Sequence, residues 1–564
     1  MKKQVAEIIR KALKKINLDI KSEQIEQRLE VPPSIDMGDY SFPVFSLVEK
    51  SKMMPDELAI KLREVIGNIP ETDFDDVQTV GGYVNFFLDR KNIARKVVWE
   101  AISQKNNFGR SKIGAKKKII IECSSPNIAK PFGVGHLRST IIGNSIAKIA
   151  EFLGYKPIKI NYLGDWGTQF GKLIFGFEKW GDEDKLMKNP IEHLMKLYVK
   201  VNKYKKYEEP SREAFRKLEQ RDRKYLMLWK LFRQLSIQEF KKIYKQLNIE
   251  FDIYSGESES VKYTQRVIDE LKEKELLKKS EGAWIVDLEK YNLGISLIQK
   301  TDGTTLYATR DLAEAIRRKE KYKFERMIYE VGQEQKFYFQ QLFKILELLG
   351  YEWAANCMHV DHGLYLGKDG KKFSTRKGKT VLMQEIFDTT TDLTKKEIKK
   401  RFPGLSKAEL EKRAKKIAIA AIFYGDLKNN RTNNMIFDLK KFTSFDGNTG
   451  PYIQYSYARA GSIVKKAKNQ EKFEINELNA QELELVKALS NFSEVVLDAF
   501  EHLNPSVIAN YCYNICQKFN EFYETSWVIN SGESESFRLA LVESFRRILK
   551  NGMSLLGIDM LEEM

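Results

Sequence analysis

The residues best suited to chemistry lie in one stretch, Glu122-Cys123-Ser124-Ser125-Pro126-Asn127-Ile128-Ala129-Lys130-Pro131-Phe132-Gly133-Val134-Gly135-His136-Leu137-Arg138-Ser139-Thr140. The apolar run Ile119-Ile120-Ile121 precedes it and helical periodicity follows it. A Gly-rich turn between a buried strand and a helix aims backbone N–H groups and the helix dipole at a phosphate chain, while Lys130 and His136 add charge and hydrogen bonds. A glycine pair taken alone is better explained as a tight βα turn.

Three further clusters carry polar chemistry. Tyr307 and Asp311, four apart on a predicted helix, share one face; the plain alternative for Asp311 is a surface ion pair with Arg310 or Arg317. Lys371, Lys372, Arg376 and Lys377 crowd a loop between Gly370 and Gly378, a concentration of charge that would stabilise a negative group. Gly447-Asn448-Thr449-Gly450-Pro451 leads into Tyr452, Gln454, Tyr455 and Tyr457 beside Arg459 and Lys465. Aromatic faces next to cations suit unstacked bases, although packing between helices would explain about half of these tyrosines equally well.

The elements that position these groups follow from periodicity. The short run at 119–121 reads as a strand buried on both faces. A helix over about 136–153 carries Ile141, Ile142, Ile146, Ile149, Ala150 and Leu153 at helical spacing and ends at Gly154, and a second strand covers 156–162. Strand, helix and strand form a βαβ unit, so a doubly wound nucleotide-binding sheet is expected. Residues 181–250 are helical and rich in Lys, Glu and Leu, an insertion between two halves of that sheet; the second half resumes near Phe251. Before the sheet, residues 1–108 read as a separate α+β domain that opens with an amphipathic helix through Val5, Ile9 and Leu13. The sheet domain is expected over 109–386, and a helical bundle over 387–564.

Composition bounds the rest. At 564 residues the chain exceeds one ordinary core. Lys and Arg outnumber Asp and Glu by 95 to 78, and the formal charge of +17 would attract a polyanion, nucleic acid above all. Because the lysines are dispersed, solubility alone is the competing explanation. The four cysteines lack the paired spacing of a zinc site, so neither a structural metal nor a disulfide is expected, which fits a reducing cytoplasm. The apolar run 417–424 is far shorter than the roughly 20 residues of a membrane span. The acidic Glu7 in the first helix argues against a transit peptide.

Ser124 to Pro131, followed by Val134-Gly135-His136-Leu137-Arg138-Ser139-Thr140, resembles the ATP-site signature of class I aminoacyl-tRNA synthetases in its arginyl form. The segments Tyr162 to Gly171, Asp302 to Ala313, Lys372 to Gly378 and Gly447 to Tyr455 resemble the same family in the same order. The resemblance implies an α/β fold: a Rossmann-like nucleotide-binding catalytic domain, an N-terminal α+β domain that adds tRNA contacts, and a C-terminal all-α anticodon-binding domain. It implies an arginine-tRNA ligase using ATP with Mg²⁺, acting on tRNA(Arg) as a cytoplasmic monomer.

By the same resemblance, Glu122, Ser125, Asn127, His136, Tyr307, Asp311 and Gln335 would hold arginine, whose planar fork is read best by paired acceptors. Gly133, Gly135, His136, Lys372 and Ser374 would hold ATP; Lys130, His136, Lys372 and Arg376 would serve catalysis; Asn448, Tyr452, Gln454, Tyr455 and Arg459 would meet the tRNA. Two positions depart from the family pattern. Thr375 replaces the second lysine of the Lys372 loop, with Lys130 as its expected substitute, and Gly133 replaces the first histidine of the signature. The second departure leaves a catalytically silent tRNA-binding paralogue as the alternative.

Overall fold

The computed structural model describes residues 2–34, 37–67, 73–301, 303–367, 370, 382–467 and 473–564. The chain divides into two compact units, one of Met1–Lys105, Lys466–Ser490 and Lys518–Phe545, the other of Asn106–Lys465, Asn491–Gln517 and Arg546–Met564.

In the first unit an antiparallel sheet of β1 (Tyr40–Pro43), β2 (Phe74–Val80) and β3 (Tyr83–Leu88) has β3 at its centre. The opening helix, Lys2–Lys15, buries Val5, Ala6, Ile9, Ala12 and Leu13, the face its spacing predicts. Asp39 is buried beside this sheet, where it accepts from Leu88 N–H at 3.0 Å and from Lys487 Nζ at 2.6 Å. The paired charge offsets the cost of taking a carboxylate out of water.

The second unit is built on five parallel strands: β4 (Lys118–Glu122), β5 (Lys156–Leu163), β6 (Ile253–Gly256), β10 (Arg326–Gly332) and β11 (Cys357–His362). Between β6 and β10 come β7 (Leu277–Ser280), β8 (Ala283–Asp287) and β9 (Ile295–Gln299), a small antiparallel sheet. The parallel order is β11-β10-β4-β5-β6, so the chain moves outward one way from β4 and then returns to the other side of it. That reversal is the doubly wound topology, and its crevice lies between the carboxyl ends of β4 and β10.

Ile119, Ile120 and Ile121 are all fully buried, as expected for a central strand. Burying each is worth about 2–3 kcal/mol relative to exposure. The following helix, Val134–Phe152, starts two residues before the predicted position because Gly133 acts as its N-cap. The helical insertion likewise starts earlier than 181, at Thr168–Trp180, and its long helix Arg223–Gln246 packs Phe232, Ser236, Phe240 and Tyr244 inward. β6 begins two residues beyond the expected restart at Phe251. Beyond the sheet come the helices Met383–Arg401, Lys407–Leu427 and Gly450–Lys466.

Candidate active site

The loop after β4 is held in an uncommon backbone shape. Ser124, Ser125 and Ala129 have φ of +73°, +42° and +58°, a region that costs a non-glycine residue about 1–3 kcal/mol. Hydrogen bonds from distant elements hold this conformation. Ser124 N–H donates to Ser139 Oγ at 2.8 Å, the Ser124 hydroxyl lies 2.7 Å from Tyr244 Oη, and Ala129 N–H donates to Ser236 Oγ at 3.0 Å. Ser139 Oγ in turn donates to the carbonyl of Glu330 on β10, which ties loop, helix and sheet together. At Gly164 the fit is tighter still: a Cβ there would come within 2.1 Å of Asn127 Oδ1. Asp165, fully buried, accepts from Arg233 Nε at 2.8 Å and from Ser258 N–H and Oγ, both at 2.9 Å.

These contacts shape a cavity of about 530 Å³ at the carboxyl ends of β4 and β10, the crevice the topology creates. Glu122, Ser125, Asn127, Tyr307, Asp311 and Gln335 all line it, so six of the seven residues expected around arginine come together. His136 is not part of that lining. Tyr162, Glu257, Glu314, Arg318, Tyr329 and Tyr338 complete much of the wall.

The charges in this wall are mostly matched. Glu122 pairs with the fully buried Arg318, whose Nε donates to Glu314 at 2.8 Å; Arg317 donates to Glu314 at 2.7 Å; Arg310 lies 3.0 Å from Glu257. Asp311 is different. It bonds neither Arg310 nor Arg317 but accepts a hydrogen bond from the Tyr338 hydroxyl. Burial pushes its carboxyl up to about 7, against the lowering effect of that hydrogen bond. Asp311 is therefore only partly ionised near neutral pH, and its charged form costs free energy until a cation arrives. The Ser125 and Tyr329 hydroxyls are buried with no hydrogen-bond partner among the described residues, as groups that await a ligand would be.

The turn that the sequence motif assigns to phosphate is built from backbone. Gly133 has φ −94° and ψ 168°, extended geometry open to any residue, and supplies no side-chain cap to the helix it begins. A Cβ on Gly135 would meet no atom within 4 Å, so no protein neighbour there demands glycine. His136 Nδ1 accepts from Gly133 N–H at 3.3 Å, which leaves the proton on Nε2. Burial, with Lys130 nearby, pushes His136 down to about 4, so at neutral pH it offers a hydrogen bond without charge. Behind this helix Arg138, almost wholly buried, lies 3.3 Å from Asp426 and donates to the Asn433 carbonyl at 2.8 Å.

Lys372, Ser374 and Arg376 lie outside the described residues. Of the residues expected to meet tRNA, Asn448 accepts from the Tyr424 hydroxyl at 2.6 Å, and the Arg459 guanidinium sits 5.0 Å from the centre of the Tyr455 ring. Tyr452 is half-buried against Tyr513. Gln454 differs from expectation: it is fully buried, its amide donating to the Asp559 carbonyl at 2.8 Å, and it presents no surface to a partner. Ser139 and Asp165 lie within recognisable motifs, but Tyr244, Ser236 and Tyr338 carry no local signal in the sequence.

Comparison with known proteins agrees with this architecture. Residues 97–439 match the catalytic domain of class I tRNA synthetases (R), 453–564 the DALR anticodon binding domain, and 3–88 the arginyl tRNA synthetase N terminal domain. The arginine–tRNA ligase of Enterococcus faecalis is 43% identical over 99% of both chains, and that of Clostridium acetobutylicum is 42% identical over the full length of both. Arginyl-tRNA synthetase from Plasmodium falciparum superposes with a TM-score of 0.82 at 26% identity, covering 100% of this chain and 99% of that one. The Thermus thermophilus arginyl-tRNA synthetase shares the fold with the same score at 24% identity, over the whole of both chains. A doubly wound sheet with its cavity at the β4/β10 crevice, and full-length identity above 40%, lead to one assignment: the chain belongs to the arginyl-tRNA synthetase family of class I.

Proposed function

We propose that the chain activates L-arginine with ATP and transfers it to the 3′ end of tRNA(Arg). The observation that carries this reading is the cavity in which the Asp311 carboxyl is held by the Tyr338 hydroxyl, while Glu122, Glu257 and Glu314 are matched by the protein's own arginines. A guanidinium supplies the missing cation and five donors in a plane. Ser125 and Tyr329 offer their unpartnered hydroxyls to the same ligand. No observation favours a silent paralogue.

In the first step an arginine carboxylate oxygen bonds to the α-phosphorus of ATP, the α–β bridging P–O bond breaks, and pyrophosphate leaves. The N–H groups at the start of the helix Val134–Phe152 face the nucleotide, with Gly135 leaving room for close approach. His136 Nε2–H donates to a phosphate oxygen, and Lys130 meets charge as it moves onto the leaving group. Lys372, Ser374 and Arg376 are assigned to that triphosphate from their sequence motif. Mg²⁺ would accompany the nucleotide and supply positive charge to its phosphates. In the second step the terminal ribose hydroxyl attacks the arginyl carbonyl and AMP leaves.

Residues 1–108 and 387–564 are assigned to tRNA binding and 109–386 to catalysis, in a cytoplasmic monomer. No described helix is long and apolar enough to cross a membrane. Arginine-dependent exchange of labelled pyrophosphate into ATP, with and without tRNA, followed by charging of tRNA(Arg), tests the reading. Absence of both activities overturns it.

A further inference from the structure

The helix Lys336–Leu348 reaches the cavity through a residue that no sequence motif announces, Tyr338. The start of this helix is pinned from two sides. Phe339 stacks on His359 of β11 with ring centroids 4.6 Å apart, and the Gln341 amide donates to the carbonyls of Leu293 at 2.6 Å and Ile295 at 3.2 Å. The first turn thereby holds Tyr338 against the helix Tyr307–Tyr322. There its hydroxyl donates to Asp311 Oδ2, and its ring meets that of Tyr307 edge-on with centroids 5.6 Å apart. Tyr338 touches both members of the pair that shares one face of that helix.

This contact bears on what Asp311 can recognise. An ionised carboxylate only accepts hydrogen bonds, whereas a protonated one also donates. The guanidinium of arginine presents N–H donors on every edge and a positive charge. Its neutral urea isostere, the side chain of L-citrulline, replaces one amino group by a carbonyl oxygen. An ionised Asp311 in a fixed orientation meets donors on the first ligand; on the second it would face an acceptor without any attraction of charge. A protonated Asp311 would donate to that oxygen and discriminate less. Sites built on hydrogen bonds reject a ligand that leaves a buried polar group unpaired far more strongly than sites built on shape.

Several groups act on the charge of Asp311. Glu122 on β4 and Glu257 just after β6 oppose it, Arg310 on its own helix favours it, and the Tyr162 and Tyr329 hydroxyls on β5 and β10 lie within its field. Glu122 and Glu257 are themselves paired with Arg318 and Arg310, and Glu314 with Arg317 and Arg318. Tyr338 contributes a direct hydrogen bond to the charged form. Burial, together with Asp311 itself, pushes the Tyr338 hydroxyl well above the usual tyrosine range, so it remains a donor through neutral and mildly alkaline pH.

We propose that Tyr338 is a positioning residue of the arginine site, its hydroxyl fixing the Asp311 carboxylate for a guanidinium and so setting the selection against the neutral urea isostere. The proposal rests on the reading of the chain as an arginine-activating enzyme. Tyr338 meets no reacting atom; it acts through Asp311.

Tyr338→Phe removes one oxygen from a half-buried ring and keeps its packing. Arginine-dependent pyrophosphate exchange and its competitive inhibition by L-citrulline are measured from pH 6 to pH 9 in the parent, Tyr338→Phe, Asp311→Asn and the double variant. In Tyr338→Phe the arginine KM at pH 7 should rise roughly tenfold, and the ratio of the citrulline inhibition constant to that KM should fall about tenfold. Arginine needs the charged form, so its affinity is full above the titration of Asp311 and lost below it; without the hydroxyl that loss should begin at higher pH. In the Asp311→Asn background, removing the hydroxyl should change either quantity by no more than about twofold, because its effect passes through the carboxylate. A loss of arginine affinity that is flat across pH and persists in the Asp311→Asn background would make Tyr338 a packing residue and overturn the proposal. Identical KM profiles and citrulline selectivity in parent and Tyr338→Phe would overturn it too, while leaving arginine activation intact. A parent without arginine-dependent exchange would instead strike the functional reading, and this proposal with it.

Discussion

The cavity around Asp311 and the turn around Gly133 belong to the same unit, yet they are built from different materials. At the cavity, side chains supply the recognition: Glu122, Arg318, Glu314 and Arg317 interlock, and Asp311 is held by Tyr338. At the turn, the proposed function leaves it to the backbone: Gly133 and Gly135 carry no side chain, Gly133 caps the helix without a side-chain hydrogen bond, and His136 is neutral. The difference follows from the ligands. A guanidinium is a fixed fork that needs acceptors at fixed positions. A triphosphate is a flexible chain of similar oxygens, which many N–H groups can meet without exact direction from any one side chain. Substitutions should therefore act on arginine affinity at the first region and on turnover at the second.

The largest effect is expected where the second region does rely on one side chain. Lys130→Ala should lower the adenylation rate by about 10²-fold, the scale on which a single transition-state donor acts, with the arginine KM nearly unchanged. Single-turnover formation of arginyl-adenylate measures it. A fall in arginine affinity with an unchanged rate would put Lys130 in the wrong region and break the comparison.

Asp311→Asn should raise the arginine KM roughly 10–100-fold, the worth of one charge-assisted hydrogen bond of about 1.5–3 kcal/mol. The ATP KM should not move, and thermal unfolding should show a fold at least as stable, since the variant buries no charge. Unchanged use of arginine would show that the guanidinium lies elsewhere.

The raised carboxyl of Asp311 adds a pH signature. Arginine needs the ionised form, and the free site titrates near 7, so affinity is full above that pH and falls as pH drops through it. From pH 8 to pH 6 the arginine KM should rise about tenfold. Asp311→Asn should abolish this dependence, and a flat KM profile in the parent would remove Asp311 as its source.

What the sequence could tell divides along the same line. That Asn127 and Asp311 come together was legible because their motifs are contiguous, and the βαβ unit was legible because Ile141, Ile146 and Ile149 keep helical period ahead of a second apolar strand. Tyr244 and Ser236 were not legible: they reach the Ser124–Ala129 loop from more than 100 residues away, and no local pattern marks a hydrogen bond made by tertiary approach. The pairing of Glu122 with Arg318 was hidden for the same reason, and on the proposed function it would shift the burden of attracting arginine toward Asp311. Gln454 was misread, although its phase was visible: Gly450, Ile453, Gln454, Tyr457 and Gly461 form one buried helical stripe.

The smallest effect is expected at Gly133, where restoring the family histidine tests how completely the backbone has replaced it. The backbone imposes no strain, since φ −94° suits histidine as well as glycine, but the position is buried, so Gly133→His should fold with a modest loss of thermal stability. Its imidazole would add a donor that acts mainly as the transition state forms, and any gain should appear in turnover before ATP affinity. A lone missing donor would be worth about 10²–10³ in rate. On the proposed function the N–H groups at the helix start and Lys130 would already meet the phosphates, so we expect a gain below about tenfold. Single-turnover adenylation of parent and variant, with a melting curve for each, decides between the two cases. A gain near a thousandfold would show that the backbone had not compensated and that the parent is a crippled enzyme, whereas a small gain in a stable protein would mean that a bare helix N-terminus and one lysine suffice where relatives of the signature pattern use a histidine.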